Sequence, residues 1–517
     1  MKSVKYIVIF FAVFVASHPV LAQVIPNAVD SIAALTYWYQ PSSVITHDMA
    51  IRNRVWIPEE IKNKSSVLGV QQTMGNGGFK AAQGMDGFSQ SQLYTEGKTD
   101  WNKANFWGRF SYDRSSEDST ALRHQSRWNS DAPVYFGSLR KNKYNRETYK
   151  LDAGIQRAFF DERLPISLGI DYRLGSHYSN NDPRGDIKDM NLQFELSAGH
   201  NLPKFSYHLT GIWGYGSERV SVGYKNDKYT TNTEDPLYVN WMMNGFGNAS
   251  ERLKEINYSD IIQHKGIGTH ILLKPNSDNK IYLNGRYINE EQSFRRNDNS
   301  KQTYLSLNDY KKDISSIDFL WTRRMARGKL LRLALLGQIE NGKDFNYTYL
   351  ANNYTYRRHE ISLKTQLGIY QYLLEGNAGM YKTEKKDGVT SNQMEFDQIR
   401  LGLGLNRTFR INESSEIMGT IGYFKQWSPA HNLFLSELNT GNFAQQILYQ
   451  DYFYDTASSN NWNMSWIWGT RRGMNNWSIQ FQLNYQRRGS LVPINDILSP
   501  LLGKDWLLGK FGISYIF

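Results

Sequence analysis

The chain has 517 residues, no cysteine and a formal charge of +11, so a disulfide framework, a zinc finger and thiol catalysis are excluded. Its mean hydropathy is −0.58, yet 14% of its residues are aromatic, with 33 tyrosines and 14 tryptophans. A soluble chain this polar rarely carries so many rings. A membrane barrel does, because its wall is apolar only at alternate residues and Tyr and Trp collect at the headgroups.

Residues 1–22 read as a secretory signal peptide. Lys2 and Lys5 form a positive start, Tyr6 to Ala16 an apolar run too short for a stable membrane helix, and Val20-Leu21-Ala22 a small-residue cleavage site. Cleavage is expected between Ala22 and Gln23, and the absence of Cys after it excludes a lipid anchor. In an exported chain the basic balance does not point to nucleic acid. It suits the anionic lipopolysaccharide surface, an anion-attracting lumen, or simply solvated loops.

Residues 23–65 differ from the remainder of the chain. Ile32, Leu35, Tyr37, Trp38, Tyr39, Pro41, Val55, Trp56, Ile57 and Pro58 show no strand alternation. This segment is expected to be a small plug in a lumen or a periplasmic arm. It is too short for a TonB-type plug domain, and the chain is too short for a 22-strand transporter.

From residue 66 to 517 composition is even, with no linker and no internal repeat, so one domain is expected. No apolar run there is long enough for a helical span, and lipid tolerates only helices or closed barrels. Period-two alternation then decides. Leu164, Ile166, Leu168, Ile170, Tyr172 and Leu174 alternate with Pro165, Ser167, Gly169, Asp171 and Arg173. Met190 to Gly199, Phe205 to Tyr215, Trp462 to Trp468 and Trp477 to Gln486 alternate likewise. The turns Asp161-Glu162, Asn201-Leu202-Pro203, Lys274 to Asn279, Arg327-Gly328, Ile411 to Ser414 and Gly473 are short. The stretches 115–143, 175–187, 230–262, 293–302, 428–460 and 489–503 read as long loops. The expected fold is therefore an all-β, transmembrane antiparallel β-barrel of about 16–18 strands. Long loops face outward and short turns the periplasm, with 66–84 and 345–384 ambiguous.

Candidate chemistry is sparse. Gly97-Lys98-Thr99 lacks the glycine a phosphate loop needs at position 92, where Gln stands. Gly75, Gly77 and Gly78 suit a tight turn or bulge. His264 and His270 share a strand face but lie six residues, or ~20 Å, apart and cannot share a metal. No catalytic, cofactor or metal constellation is found, so no enzyme and no cofactor are expected. Five arginine doublets, at 295–296, 323–324, 357–358, 471–472 and 487–488, fit phosphate or anion attraction, or solvation and headgroup anchoring of strand ends. The rings Phe434, Phe443, Tyr449, Tyr452, Phe453 and Tyr454 in one loop, and Tyr238, Trp241 and Phe246 in another, suit either an exposed grip or a loop folded into the mouth.

The last strand is the most specific signal. Phe511, Ile513, Tyr515 and Phe517 form one apolar face, and Lys510, Gly512, Tyr515 and Phe517 resemble the β-signal of outer-membrane barrels. That resemblance implies insertion by the barrel-assembly machinery. With the Gln23 start and Tyr/Asn-rich loops, the mature chain also resembles the uncharacterised outer-membrane barrels of Bacteroidota, which implies no catalytic residue to carry over. The outer membrane of a Gram-negative-type cell is the expected location. The functional readings are a porin-like channel for small-solute uptake, an accessory barrel docking with a separate TonB-dependent transporter or surface lipoprotein, and a rim enzyme. The motifs of outer-membrane phospholipases and omptin-type proteases are not matched.

Overall fold

The computed structural model describes residues 44–517 apart from 62–64, 122, 127–130, 232–234, 248, 253–255, 299–302, 327–328, 413, 437–441, 471–475 and 492–501. The signal peptide, the Ala22–Gln23 cleavage site and residues 23–43 lie outside the described residues, as do Arg327-Gly328, Arg471-Arg472 and Gly473.

Three helical pieces open the described chain: α1 (Val44–Arg52), a 3-10 turn (Arg54–Trp56) and α2 (Ile57–Glu60). The first strands are β1 (Ser65–Gly77), β2 (Gly87–Trp101), β3 (Ala104–Thr120), β4 (Val134–Gly137), β5 (Asn142–Phe159), β6 (Leu164–Ser179), β7 (Arg184–Asn201) and β8 (Phe205–Gly223). After the short helix α3 (Lys228–Thr231) come β9 (Asn240–Asn244), β10 (Ala249–Arg252), β11 (Ile256–Asn276), β12 (Asn279–Asp298), β13 (Thr303–Arg324) and β14 (Leu330–Asn346). Next are β15 (Tyr354–Ile369), β16 (Tyr372–Asp387), β17 (Gln393–Asn412), β18 (Ser415–Trp427) and β19 (His431–Phe434). Helix α4 (Asn442–Thr456) precedes β20 (Ser459–Thr470), β21 (Asn476–Arg488) and β22 (Asp505–Ile516).

Strands β4, β9 and β10 form a separate sheet, and β19 only extends β17. The other eighteen close one antiparallel ring, each pairing with its neighbour and β22 pairing back to β1 from Val67–Ile516 to Gly77–Trp506. Ser66 and Phe517 exchange backbone hydrogen bonds of 2.9 Å in both directions. The ring leaves no open ladder edge, which is what lipid demands.

The pleat sorts side chains as the alternation predicts. Ile166, Leu168, Leu174, Leu196, Leu209 and Trp213 are exposed on the outer wall, while Ser167, Ser197, Gln480 and Gln482 are buried inside. Rings gather at two heights outside. Trp477, Tyr515 and Phe517 pack together at the short-turn end, and Tyr423, Trp462 and Tyr485 at the long-loop end. Trp477 and Tyr485 are eight positions apart on β21, roughly 26 Å along the strand, which suits two girdles flanking an apolar band.

Turns at one end are short. Trp101 pairs with Ala104, leaving Asn102 and Lys103 at φ 48° and 63°, the left-handed pair of a two-residue hairpin. The opposite end differs from the sequence reading in extent. β6 runs to Ser179 and β7 starts at Arg184, and β12 runs to Asp298, so most of 175–187 and much of 293–302 is strand. Strands of 20 residues or more, such as β11, β12 and β13, exceed the ~9–11 needed to cross lipid. Their outer ends face water on one side, so the apolar alternation that marks a strand in lipid is lost there. The ambiguous stretch 66–84 holds most of β1, and 345–384 holds β15 and most of β16.

Candidate functional site

The lumen is closed near both ends. At the short-turn end, residues 44–61 lie against the inner wall. Ile45, Met49, Ala50, Val55, Trp56 and Ile57 pack on Trp107, Leu272, Tyr282 and Leu320 of the wall. Trp56 is 2% exposed. Its indole Nε1 donates to Asn284 Oδ1 at 2.7 Å, and its ring meets the rings of His208, His270 and Tyr282 at their edges.

Charge holds the rest of this segment. Arg54 reaches Asp152 at 2.9 Å, Glu195 at 3.1 Å and Asp171 at 3.4 Å, three carboxylates from β5, β7 and β6. Asp152 and Asp171 sit directly opposite each other across the β5–β6 ladder, a repulsive arrangement that one guanidinium between them relieves. Position 169 leaves the space: a Cβ there would stand 3.1 Å from Arg54 Cδ, and Gly169 has none. Burial alone would lower the Arg54 pKa, but Asp152, Glu195 and Asp171 outweigh it and hold the guanidinium above its ordinary value. Further along, Glu59 meets Lys280 at 2.7 Å and Lys274 at 3.1 Å, and Glu60 meets Lys280 at 2.8 Å. Burial pushes the Glu59 carboxyl up, and the two lysines pull it below its usual range. No strand pairing joins this segment to the ring among the described residues.

At the long-loop end, the β4–β9–β10 sheet and helix α4 build a cap. Phe136, Met242, Phe246, Leu448, Tyr452 and Phe453 are all buried in its core, with Tyr258, Phe294 and Tyr310 from the strand ends. The loop rings are therefore mostly folded in. Phe443 is buried, Trp241 stacks on it at 5.5 Å, and Phe434 stays on the surface.

Cavities lie between the closures. One, about 440 Å³, runs beside the helical segment and is bordered by Arg54, Arg109, Arg173 and Arg286 together with Glu96 and Glu195. A second, about 120 Å³, lies between α1 and the β13–β17 wall. A third, about 100 Å³, lies under the cap. Arg52 borders the first two, and Tyr381 and Arg400 border the last two. The cavities thus form a broken path along the lumen, interrupted by a few side chains.

The sequence-predicted residues are scattered over this frame. Lys510 and Gly512 face inward on β22, while Tyr515 and Phe517 lie on the outer face at the closing seam. Lys98 is buried and donates to the Ile61 carbonyl, at the end of the helical segment. His264 meets Glu290 at 3.2 Å, and His270 lies between Thr210 and Asn284. Gly78 serves a close approach: its carbonyl accepts from Gly503 N at 2.8 Å, and a Cβ on it would stand 2.9 Å from Gly503 Cα. Doublets 295–296, 323–324 and 487–488 lie at strand ends, but 357–358 lies inside β15, and Arg358 borders the cavity under the cap. Arg54, Asp152, Asp171, Glu195 and Arg400 carry no sequence motif. What brings them together is cross-strand register.

The match that decides relationship covers residues 55–517, which fit the Family of unknown function (DUF6850). The chain belongs to this family. Among curated protein sequences, none matches it. Solved structures share only the barrel architecture. The outer membrane transporter YddB from Escherichia coli is 9% identical over 88% of this chain and 81% of that one, TM-score 0.38. BauA, the ferric preacinetobactin receptor from Acinetobacter baumannii, is 8% identical over 88% and 80%, TM-score 0.41. A Pseudomonas aeruginosa FadL homologue is 10% identical over 88% and 90%, TM-score 0.31. This member of the family is an outer-membrane-type barrel of eighteen strands by its own closed ring and apolar outer wall.

Proposed function

We propose that the protein is a gated outer-membrane channel for small polar solutes, resting closed with its N-terminal segment as the plug. The observation that carries this reading is how residues 44–61 are held. They lie in the lumen outside the strand ladder, held chiefly by the Arg54 carboxylate cluster, the Glu59–Glu60–Lys280 cluster and Trp56, with Lys98 and Arg286 donating to the Ile61 and Arg52 carbonyls. A segment outside the ladder leaves the wall intact when it departs, and the exposed carboxylates and lysines are then solvated by lumen water. An eighteen-strand ring is wide enough for an aqueous path once the plug is gone.

Planar-bilayer conductance tests it. The full-length protein is expected to be silent most of the time. Deletion of residues 23–61, or Arg54→Ala in the full chain, is expected to give stepwise conductance. If both variants insert as folded barrels and remain as silent as the wild type, the reading of residues 44–61 as the gate fails.

A further inference from the structure

The cavity under the cap is polarised. Its wall, from β15, β16 and β17, offers Arg358, Lys385 and Arg400, and its roof, helix α4, offers Asp451 and Asp455. Lys385 is the cation that acts most on Asp451 and Asp455, while the two guanidiniums are engaged elsewhere. Arg400 donates from Nε to Gln426 Oε1 at 2.9 Å and from Nη2 to Gln398 Oε1 at 2.7 Å. Arg358 pairs with Glu360 at 3.1 Å. Asp451 accepts the Ala82 N–H at 2.8 Å. Among the described residues neither guanidinium is ion-paired with Asp455, which feels both across the gap.

The geometry is also fixed. The Tyr381 ring carries Arg400 at 4.5 Å and Arg358 at 5.5 Å from its centroid, so both cations are held on one side chain. Tyr354, Tyr356 and Phe396 add apolar wall. Gln486 is 5% exposed, and its Oε1 is buried without a hydrogen-bond partner among the described residues. A buried acceptor left open in a polar cavity is costly and fits a ligand that donates. The space is compact, about 100 Å³, and suits a small ligand that presents both charges close together. A lone anion would meet the acidic roof, and a lone cation the basic wall.

We propose that this cavity binds a small zwitterion of amino-acid size, its carboxylate on Arg358 and Arg400 and its ammonium on Asp455. The proposal rests on the reading of the lumen as a solute path and names the solute class. Burial, and then the charge of Asp451, hold the Asp455 carboxyl up at about 7. An ammonium beside it stabilises the charged form, so binding near neutral pH releases a proton.

The test is isothermal titration of the full-length protein in detergent with glycine, β-alanine and γ-aminobutyrate, against acetate and ethylammonium as half-ligands. At least one zwitterion should bind about tenfold or more tighter than either half-ligand, and its heat at pH 7 should vary with the buffer's ionisation enthalpy. Asp455→Asn and Arg400→Gln should each bring it down to half-ligand affinity, and Arg400→Lys should restore part of the loss, with circular dichroism confirming the barrel. Equal affinity for all five probes, or none for any, overturns the proposal, as does full affinity in a folded Asp455→Asn variant. The wild-type comparison decides alone if a variant misfolds. Titration reads binding without passage. A barrel silent in bilayers that still selects the zwitterion refutes the channel and keeps the ligand, and a conducting barrel without selection refutes the ligand alone.

Discussion

Replacing Arg54 by Ala isolates the latch that holds the plug. The side chain is 11% exposed, and its partners Asp152, Asp171 and Glu195 are 19%, 45% and 7% exposed. Removing one partner of a buried charged cluster costs about 3–5 kcal/mol. Glu195 keeps Arg286 as a partner, and Asp171 is screened by water, so the low end, about 3 kcal/mol, applies to plug docking. At ~1.4 kcal/mol per factor of ten, the ratio of open to closed plug rises roughly 150-fold. Single-channel recording reads that ratio as open probability. Arg54→Lys, a point charge without the fork, should fall between wild type and Arg54→Ala. An Arg54→Ala open probability within about threefold of wild type, far below the roughly 150-fold derived from the same cluster energy, would refute the latch.

Other perturbations approach the same parts from different sides. Gly169→Leu puts a side chain where Arg54 Cδ lies 3.1 Å from the Cβ position, and should open the plug as Arg54→Ala does while leaving every carboxylate in place; unchanged conductance would show that the recess is not needed. Trp56→Ala empties a site 2% exposed and should weaken plug docking by about 3–5 kcal/mol, read as faster protease cleavage within residues 44–61. Asp455 titrates at about 7 in the closed cap, against about 3.9 when solvated. The closed cap thus holds a proton the open one lacks, and closure is favoured at the acid end of that window and weakens as pH rises toward 7. Asp455→Asn should flatten the dependence, followed by hydrogen exchange in α4. Deleting Phe517 removes both backbone bonds to Ser66 and the last ring of the seam, and should lower the amount of assembled barrel in outer-membrane fractions.

How much is legible in the sequence depends on which solvent a residue faces. Between Leu164 and Leu174 lipid lies outside and polar groups inside, so alternation reads the strand directly. Beyond Leu174 both faces turn polar and the same strand reads as loop to Ser179. Helix α4 does carry a signal: Phe443, Ala444, Ile447, Leu448 and Tyr452 recur at helical spacing and are all buried. In a chain otherwise of period two, those rings leave grip and packing equally open. The Arg357-Arg358 doublet falls in the stretch 345–384 that the sequence leaves ambiguous, because pairing register is not in the sequence, yet inward position 358 follows from Tyr354 and Tyr356 on the same face. Least legible is the Arg54 site. It needs Asp152 opposite Asp171, a register that no single strand encodes, and a segment whose own pattern leaves plug and periplasmic arm undecided.

The two closures differ in chemistry, and salt separates them. Beside the apolar packing around Trp56, the plug rests on ion pairs partly open to the lumen, such as Lys280 with Glu59 and Glu60. Such pairs weaken as ionic strength rises, since the screening length falls from ≈10 Å at 0.1 M to ≈3 Å at 1 M. The cap rests on Phe136, Met242, Phe246 and Leu448 and their neighbours, and burial of that kind is strengthened by sulfate and hardly changed by chloride. Sodium chloride should therefore raise open probability in the wild type but have little further effect in Arg54→Ala, whose plug has already lost its main pairs. Sodium sulfate at equal ionic strength should screen the plug equally while tightening the cap. If the cap is the rate-limiting gate, open probability falls in sulfate and hardly changes in chloride. If the plug is, both salts raise open probability by screening, sulfate less than chloride because the packing around Trp56 tightens too, and that is the result expected from a closure whose ion pairs are already next to water.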